Sequence, residues 1–358
     1  NVTTMALLMR ITQTFGLLSL FFSFSVFSES EQPLEEEIVD VITPRAVSIY
    51  LPNNLIPSSV LSQFTAQTGI IVEQRVYNID TPQHISRRDY SAVDLTLIPY
   101  SYYPAQTELA SHFKPIAKDS LSNASTIKPE LNRVELAQHY QYSVPLMLQG
   151  IGIATNSKML PPSLLSQWVD LHDEQWTGQL LILDDAQTLV SIALLGMGYP
   201  INNATDKQLQ KSKQWLLDMR NNAAFLSKED PEMHFLSGQV SVGILSNDHA
   251  YIGSLEDADI AIEWPTEGAI LDAYALSMNI DSGADEDALL LMNFLMDKTV
   301  QSQISLYSGL TPVIDGLSMQ SKLLKLLSAE TIENGHFKLN SPESRLKYEQ
   351  LFLEVKMR

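Results

Sequence analysis

The sequence predicts an α/β protein with two lobes. From Ala46 onward, short β-like runs alternate with amphipathic helical stretches, a pattern typical of mostly parallel sheets flanked by helices. The length of 358 residues suits about two domains and is ample for a sizeable core. No internal repeat of fixed period stands out in the sequence.

The individual elements follow from local signals. Val47–Leu51 is the first strand candidate, and a helix is predicted over Pro57–Thr68. This helix places Leu61 and Phe64 on one face and is expected to end at Gly69, because glycine adopts the left-handed conformation that ends many helices. The other predicted strands are short apolar runs: Ile70–Val76, Val93–Ile98, Ile151–Thr155, Gln179–Leu183, Val240–Leu245, Ile260–Trp264 and Tyr274–Met278. The other predicted helices are Gln187–Leu195, Asp206–Arg220 and Asp285–Asp297, with further helical stretches after Pro312.

The chain is expected to pass between the lobes near Pro145–Gly150 and again after Trp264. Each lobe would then contain two separate stretches of sequence. The predicted division assigns residues 46–148 and 270–312 to lobe 1, and residues 149–269 and 313–358 to lobe 2.

The first residues have the features of a secretion signal. Arg10 is the only charged residue before Glu29, and it precedes the apolar run Phe15–Phe22. This run is shorter than the ~20 apolar residues of a membrane-spanning helix. We therefore predict a cleaved signal peptide over residues 1–28, with an uncleaved anchor as the alternative. An acidic, disordered leader is predicted over residues 29–45.

Composition argues against several functions. The 42 acidic residues outnumber the 23 basic ones and give a net charge of −19, which disfavours a nucleic-acid partner because phosphates require a basic surface. There is no cysteine, so disulfides, thiolate metal ligands and cysteine nucleophiles are excluded. The seven histidines lack the spacing of a metal site, and neither a GxSxG turn nor a glycine-rich phosphate loop is present. We therefore predict no metal, no cofactor and no catalytic activity.

Two groups of side chains are candidates for ligand binding. Asp184 and Asp185 end an apolar strand, where open α/β sheets place ligands, although Asp185 also suits a helix N-cap or a catalytic acid. The cluster Tyr100–Pro104 likewise follows a predicted strand. Aromatic faces next to carboxylates suit an organic cation, through cation–π attraction and charge-assisted hydrogen bonds. The alternative is a packing cluster whose hydroxyls reach solvent.

With these features the chain resembles the spermidine/putrescine-binding periplasmic proteins of ABC transporters. The resemblance covers about residues 47–358 in a consistent order. The matching blocks are Ile56–Pro57, Leu61–Ile70, Asp94–Leu95, Pro99–Tyr103, Val144–Pro145, Gly152–Ile153, Asn156, Ser166–Leu171, Gly178–Ala186, Gly198–Tyr199, Trp264–Gly268, Ala329–Gly335 and Tyr348–Glu349.

The resemblance implies a two-lobed periplasmic-binding-protein fold of type II, which closes over its ligand around a hinge. It also implies a function: a monomer in the periplasm of a Gram-negative bacterium that captures a polyamine-like organic cation and delivers it to the membrane permease of an ABC transporter. Two alternatives stay open. One is a sensor subunit that binds polyamine and regulates a membrane signalling protein, and the other is a diverged receptor for another small amine or an amino acid.

The resemblance assigns Tyr102 to a cleft tyrosine and Asp185 to an amine-binding aspartate. Elsewhere the cleft positions of the family are altered. Aromatic positions of the family are occupied by other residues: Pro52, Ser246 and Asp272 stand at tryptophan positions, and Leu55 and Leu310 at tyrosine positions. Carboxylate positions are also changed, since Thr188 replaces a glutamate and Tyr274 the principal aspartate. Lys338 falls near a glutamine position. Two carboxylates are thereby lost, and a buried ammonium without a counter-charge costs several kcal/mol.

One hypothesis is an amine site in which other carboxylates replace those of the family, called the rewired site below. Asp272 and Tyr274 are two residues apart on a strand-like stretch and would point to the same side. Asp248 or Glu267 would add charge and Tyr251 an aromatic face, although Asp248 also suits an exposed turn. The other hypothesis is a monoamine or zwitterion ligand, or a cleft that has lost ligand binding. The predicted binding residues are Tyr100, Tyr102, Asp185, Ser246, Asp248, Asp272 and Tyr274.

Overall fold

A computed structural model describes residues 44–161, 164–256, 259–317, 321 and 323–357 of the chain. The predicted signal peptide and the leader up to residue 43 lie outside these residues. The strands are β1 (Ala46–Pro52), β2 (Ile71–Tyr77), β3 (Leu95–Pro99), β4 (Val144–Asn156), β5 (Leu180–Leu183), β6 (Ala223–Ser227), β7 (Val242–Ser246), β8 (Ile260–Glu263), β9 (Ile270–Met278), β10 (Thr311–Pro312) and β11 (His336–Phe337). The helices are α1 (Ser58–Thr68), α2 (Arg87–Tyr90), α3 (Leu109–His112), α4 (Ala186–Gly196), α5 (Asp206–Arg220), α6 (Glu232–Leu236), α7 (Asn247–Leu255), α8 (Asp285–Leu295), α9 (Lys298–Ser308), α10 (Ala329–Asn334) and α11 (Pro342–Lys356).

Each strand and helix predicted from the sequence is present. Helix α1 ends at Gly69, which has φ of 74°, as its left-handed C-cap. Two central strands are longer than predicted. Strand β4 begins at Val144 instead of Ile151, and β9 begins at Ile270 instead of Tyr274. Strands β6, β10 and β11 and helices α2, α3, α6, α7 and α9 were not predicted.

The sheet is mixed, with parallel pairing in its two outer parts. Strand β1 pairs in parallel with β2 and β3, and β5 pairs in parallel with β6 and β7. Between these groups, β9 and β4 run antiparallel to each other and to their outer neighbours. The strand order is β2-β1-β3-β9-β4-β7-β5-β6. The prediction of mostly parallel sheets is therefore confirmed outside the central pair.

Strand β4 passes from one lobe to the other. Its residues Val144–Ile151 pair with β9, whereas Ile151–Thr155 pair with β7. The change of partner falls at the end of the predicted Pro145–Gly150 connection. A strand shared in this way gives a continuous hydrogen-bonded link about which two lobes can bend.

The buried side chains form two main cores, one in each lobe. The first includes Phe64, Phe113 and Leu148, and the second includes Ile153 and Trp168. The predicted division of the chain into lobes remains a prediction. The side chains of Val313, Ile314, Leu327, Ile332 and Phe337 belong to the first core and favour a final passage between the lobes after residue 337 instead of after residue 312.

The strand ends position the cleft between the lobes. Strand β3 ends at Pro99, which pairs with Tyr274 of β9. The short 3-10 helix Tyr100–Tyr102 follows it directly. In the other lobe, β5 leads into Asp185, the N-cap of α4, and β7 leads into α7. Ligand-contacting side chains are expected at such carboxyl ends of strands in α/β sheets.

Candidate ligand-binding cleft

A small polar cavity lies where these strand ends meet. Its volume is about 80 Å³, below the roughly 300–1,000 Å³ of pockets that enclose drug-sized ligands. The cavity as it stands is therefore smaller than a site that encloses a whole drug-sized ligand. The polar and aromatic residues that line it are Asp80, Ser101, Tyr102, Gln149, Asp184, Asp185, Ser227, Lys228, Ser246, His249, Asp272, Tyr274 and Lys338.

Five of the seven predicted binding residues line this cavity, namely Tyr102, Asp185, Ser246, Asp272 and Tyr274. They come from four separate stretches of the chain, and strands β3, β5, β7 and β9 bring them together. Their role in binding stays a prediction. Their convergence is the geometric condition that a shared site requires.

Tyr100 does not line the cavity. It is 1% exposed, its hydroxyl lies 3.0 Å from Ser143 Oγ, and its ring packs against Tyr103 and His139. This position corresponds to the packing alternative of the tyrosine cluster, so the prediction of ligand contact loses its geometric basis. Burial raises the pKa of Tyr100 well above its ordinary value.

Asp248 also lies off the cavity, and the exposed turn considered for it is wrong. It is 3% exposed in the first turn of α7, where the helix dipole favours a carboxylate. Its two oxygens each accept a hydrogen bond of 3.2 Å from Gln149 Nε2. The two other residues considered for a rewired site are engaged elsewhere, since Glu267 accepts from the backbone of Trp168 and Tyr251 donates to the Leu306 carbonyl.

Asp272 is held firmly in the cavity wall. Its Oδ1 accepts hydrogen bonds from the backbone N–H groups of Ser101 at 3.3 Å and Ala273 at 2.9 Å, and its Oδ2 accepts from the Ser101 hydroxyl. Burial raises the pKa of Asp272, and the charge of Lys338 and these hydrogen bonds offset that effect only in part. The carboxylate is thus preorganised but poorly solvated, a condition in which a neighbouring cation stabilises it strongly.

Asp185 faces Asp272 from the second lobe. One oxygen caps α4 by accepting from the Gln187 N–H at 3.0 Å, and the other accepts from the Thr188 hydroxyl. The structure therefore confirms the N-cap interpretation of Asp185. Because the residue also lines the cavity, capping and ligand contact are compatible.

Lys338 lies between these two aspartates. Its Nζ is 3.6 Å from Asp185 Oδ2 and 3.7 Å from Asp272 Oδ2, and it donates to Thr188 Oγ1 at 3.2 Å. The side chain is 6% exposed. A buried lysine in this position is a tethered primary ammonium inside the cleft.

A second cation bridges the lobes. His249 Nδ1 lies 2.6 Å from Glu232 Oε2, and its Nε2 lies 3.1 Å from Asp80 Oδ1 in the loop after β2. Since both partners are carboxylates, the ring satisfies both only as the doubly protonated imidazolium. Burial alone would lower the pKa of His249, but the hydrogen bonds with Asp80 and Glu232 and the charge of Asp248 raise it well above its ordinary value.

Tyr102 forms an aromatic wall of the cavity. The Arg345 guanidinium lies 5.6 Å from its ring centroid. Hydrogen bonds to the carbonyls of Ser101, Tyr103 and Asn340 hold Arg345 in place. Burial and the charge of Asp185 raise the pKa of the Tyr102 hydroxyl, so it remains a neutral donor.

Six polar residues of the cavity were missed by the sequence prediction, namely Asp80, Gln149, Ser227, Lys228, His249 and Lys338. Lys338 was noted only as a departure from the family pattern, near a glutamine position of the family's cleft, and that position was the available signal. Asp80 and His249 are 169 residues apart, and neither carries a local motif. Only the tertiary structure brings them together.

Two further properties concern the described residues alone. Among them, no three histidine, aspartate or glutamate side chains are arranged to hold a metal ion. None of the described helices is both long enough and apolar enough to cross a membrane.

Comparison with known proteins agrees with this architecture. The family model of bacterial extracellular solute-binding proteins matches residues 59–329. The chain is 27% identical over 309 residues to the spermidine/putrescine-binding periplasmic protein of Escherichia coli K12, covering 84% of this chain and 88% of that protein. A spermidine/putrescine ABC transporter substrate-binding protein from Streptococcus pneumoniae has a similar structure, with a TM-score of 0.74 at 19% identity over 87% of this chain and 99% of its own. The Tp0655 lipoprotein of Treponema pallidum gives a TM-score of 0.75 at 18% identity, covering 87% of this chain and 100% of its own.

The two lobes, the shared strands and the cleft between them define a periplasmic-binding-protein fold. Within that class, the chain belongs to the family of bacterial extracellular solute-binding proteins, since the family model covers residues 59–329.

Proposed function

We propose that this protein captures a small polyamine-like organic cation between its lobes and delivers it to the membrane permease of an ABC transporter. One observation carries the proposal. Asp185 and Asp272 converge from opposite sides of the cleft on a primary ammonium group, that of Lys338, with Tyr102 and Tyr274 in the same wall. Carboxylates and aromatic faces around an ammonium are the chemistry that amine recognition requires.

Binding would act through closure of the lobes. A ligand that contacts both walls stabilises the closed form, because it gains its full set of contacts only there. The central strands β4 and β9 connect the lobes and supply the bend. The closed form is the state that we propose the permease recognises.

The descriptions of the relatives named above support a periplasmic location and a role in transport. They are described as periplasmic binding proteins or as transporter substrate-binding proteins. We propose a periplasmic location, a signal peptide over residues 1–28, a monomeric state and no catalysis by this chain. None of these relatives is described as a sensor, so we do not carry the sensor alternative further.

Calorimetric titration tests the proposal. The protein without its predicted signal peptide is unfolded and refolded to remove bound ligand, and its fold is verified by circular dichroism. It is then titrated at low salt, where screening is weak, with diamines, triamines, amines carrying one ammonium, and amino acids. Binding of at least one amine with micromolar or tighter affinity is expected. Folded protein that binds no amine would overturn the proposal, and binding of an amino acid alone would reassign the ligand class.

The Tyr102→Ala variant tests the aromatic wall. We expect weaker amine binding by about 1 kcal/mol, a roughly fivefold change, because the variant loses a cation–π face. The melting temperature of the ligand-free protein should stay close to that of the wild type, since Arg345 keeps its three carbonyl partners. A large fall in melting temperature without a change in affinity would assign Tyr102 to the core instead.

A further inference from the structure

The ammonium of Lys338 is placed by the backbone as well as by its charge partners. The residue follows β11, and its backbone N–H donates to the Leu271 carbonyl at 3.0 Å. The butylammonium side chain then runs into the cavity and ends between Asp185 and Asp272. A short alkyl chain that ends in a primary ammonium is also the terminal portion of an alkyl diamine.

The remaining carboxylates that line the cavity are also paired within the chain. Asp184 accepts two hydrogen bonds of 2.8 Å from Lys356, and Asp80 contacts His249. Lys228 adds a further positive charge at the cavity wall. Each of the four lining aspartates therefore has a cationic partner in the described part of the chain. Because Asp185 and Asp272 share the single charge of Lys338, one negative charge of this pair remains for a ligand ammonium, and a second ammonium would find no unpaired carboxylate among them.

We infer that Lys338 is an intramolecular amine that occupies one ammonium position of the cleft, so that the site selects an amine with a single ammonium group over a diamine. This inference rests on the proposed function and names its ligand class. Lys338 itself supplies one of the positive charges of the site, so the ligand that the cleft accepts carries one ammonium group fewer. The Thr188 hydroxyl holds the ammonium in this position, because it accepts a hydrogen bond of 3.2 Å from Lys338 Nζ.

The first test removes the ammonium group of Lys338 by mutation and adds a free alkylammonium ion to the solution in its place. Lys338→Ala deletes the equivalent of n-propylammonium, and we expect n-propylammonium chloride on the order of 10 mM to raise the melting temperature of this variant by several degrees through binding to the folded state. Tetramethylammonium chloride at the same concentration should not do so, because it cannot donate a hydrogen bond. The control variant is Lys347→Ala. Lys347 also lies between two carboxylates, 3.5 Å from Asp206 and 3.6 Å from Glu343, but it is 44% exposed. This variant should show no response.

The second test measures ligand charge directly. Wild-type protein is expected to bind N-acetylputrescine more tightly than putrescine. In Lys338→Ala the affinity for putrescine should rise at least about tenfold, the scale of one charge-assisted hydrogen bond. Lys338→Gln, which keeps a polar side chain in the space, should shift the preference in the same direction and serves if the alanine variant does not fold.

The outcomes separate this inference from the proposed function. A wild type that binds no amine, together with rescue of Lys338→Ala by n-propylammonium, would support the role of Lys338 and contradict the proposed function. A wild type that binds putrescine, together with variants that show neither rescue nor a gain in putrescine affinity, would overturn the inference and leave the proposed function standing.

Discussion

Replacing His249 by glutamine is expected to lower the free energy of unfolding by about 3–5 kcal/mol near pH 6, because it leaves two carboxylates without their shared cation. Glu232 and Asp80 have side chains that are 6% and 13% exposed, so solvent replaces little of the lost interaction. In the predicted division of the chain, Asp80 belongs to the first lobe and Glu232 to the second. The variant should therefore also weaken the closed arrangement of the lobes.

The effect depends on pH in a defined direction. Because the pKa of His249 is raised in the folded state, its stabilisation is fully present below the ordinary histidine pKa of about 6.5 and is lost as the pH rises through the folded-state value. Urea unfolding of wild type and His249→Gln at a series of pH values should therefore show the largest difference near pH 6 and a smaller one at alkaline pH. A difference that is constant between pH 6 and pH 9.5 would show that the charge on the ring is not the cause.

Two control variants assign the effect to the bridge. His234→Gln removes a histidine that lies in an exposed hydrogen bond with Gln239, and it should leave the pH dependence unchanged. Asp80→Asn removes only the contact between the lobes and keeps the pairing of His249 with Glu232. It should be less destabilising than His249→Gln while still increasing the population of open molecules, measured as a larger radius of gyration in solution scattering.

The sequence predicted the fold well because its main signals are local. The alternation of apolar runs and amphipathic stretches located the principal strands, and Gly69 marked the end of α1 as expected. Helix α9 was missed although its signals are local too, since Asp297 caps its first turn and Gly309, with φ of 80°, ends it. Helix α7 was missed because Asn247 and Asp248 favour turns as readily as helix starts.

The cleft was only partly predictable, because pairing between distant residues determines it. The strand-end rule and the family resemblance together indicated Tyr102 and Asp185. The resemblance indicated Asp272 and Tyr274, and their two-residue spacing placed them on the same side of a strand. The strand-end rule also indicated Tyr100, but its side chain packs in the core. The next residue, Ser101, contacts Asp272 in the cavity wall. Side-chain direction within a short 3-10 helix is set by packing, which no spacing in the sequence reveals.

The second large effect is expected at Lys338 and Asp272, whose charges depend on each other. Lys338→Met should lower the free energy of unfolding by about 3 kcal/mol, because it leaves Asp272 buried without a cation. Asp272→Asn keeps a similar shape and should cost about 2 kcal/mol, since Lys338 then retains only Asp185 as a charge partner. In the double variant both buried charges are absent. We expect its destabilisation to be smaller than the sum of the single effects by about 2 kcal/mol.

A second double-mutant cycle supplies the comparison. Lys356 and Asp184 lie closer together, at 2.8 Å, but their side chains are 35% and 22% exposed. Lys356→Met, Asp184→Asn and their combination should therefore couple by less than about 1 kcal/mol. Urea unfolding at pH 7 measures both cycles. If the Lys338–Asp272 cycle were additive within about 0.5 kcal/mol, the two charges would be independent and Lys338 would not be the cation that Asp272 requires. Strong coupling there and weak coupling at Lys356 would show that burial, and not distance, makes the cleft aspartate depend on an ammonium group.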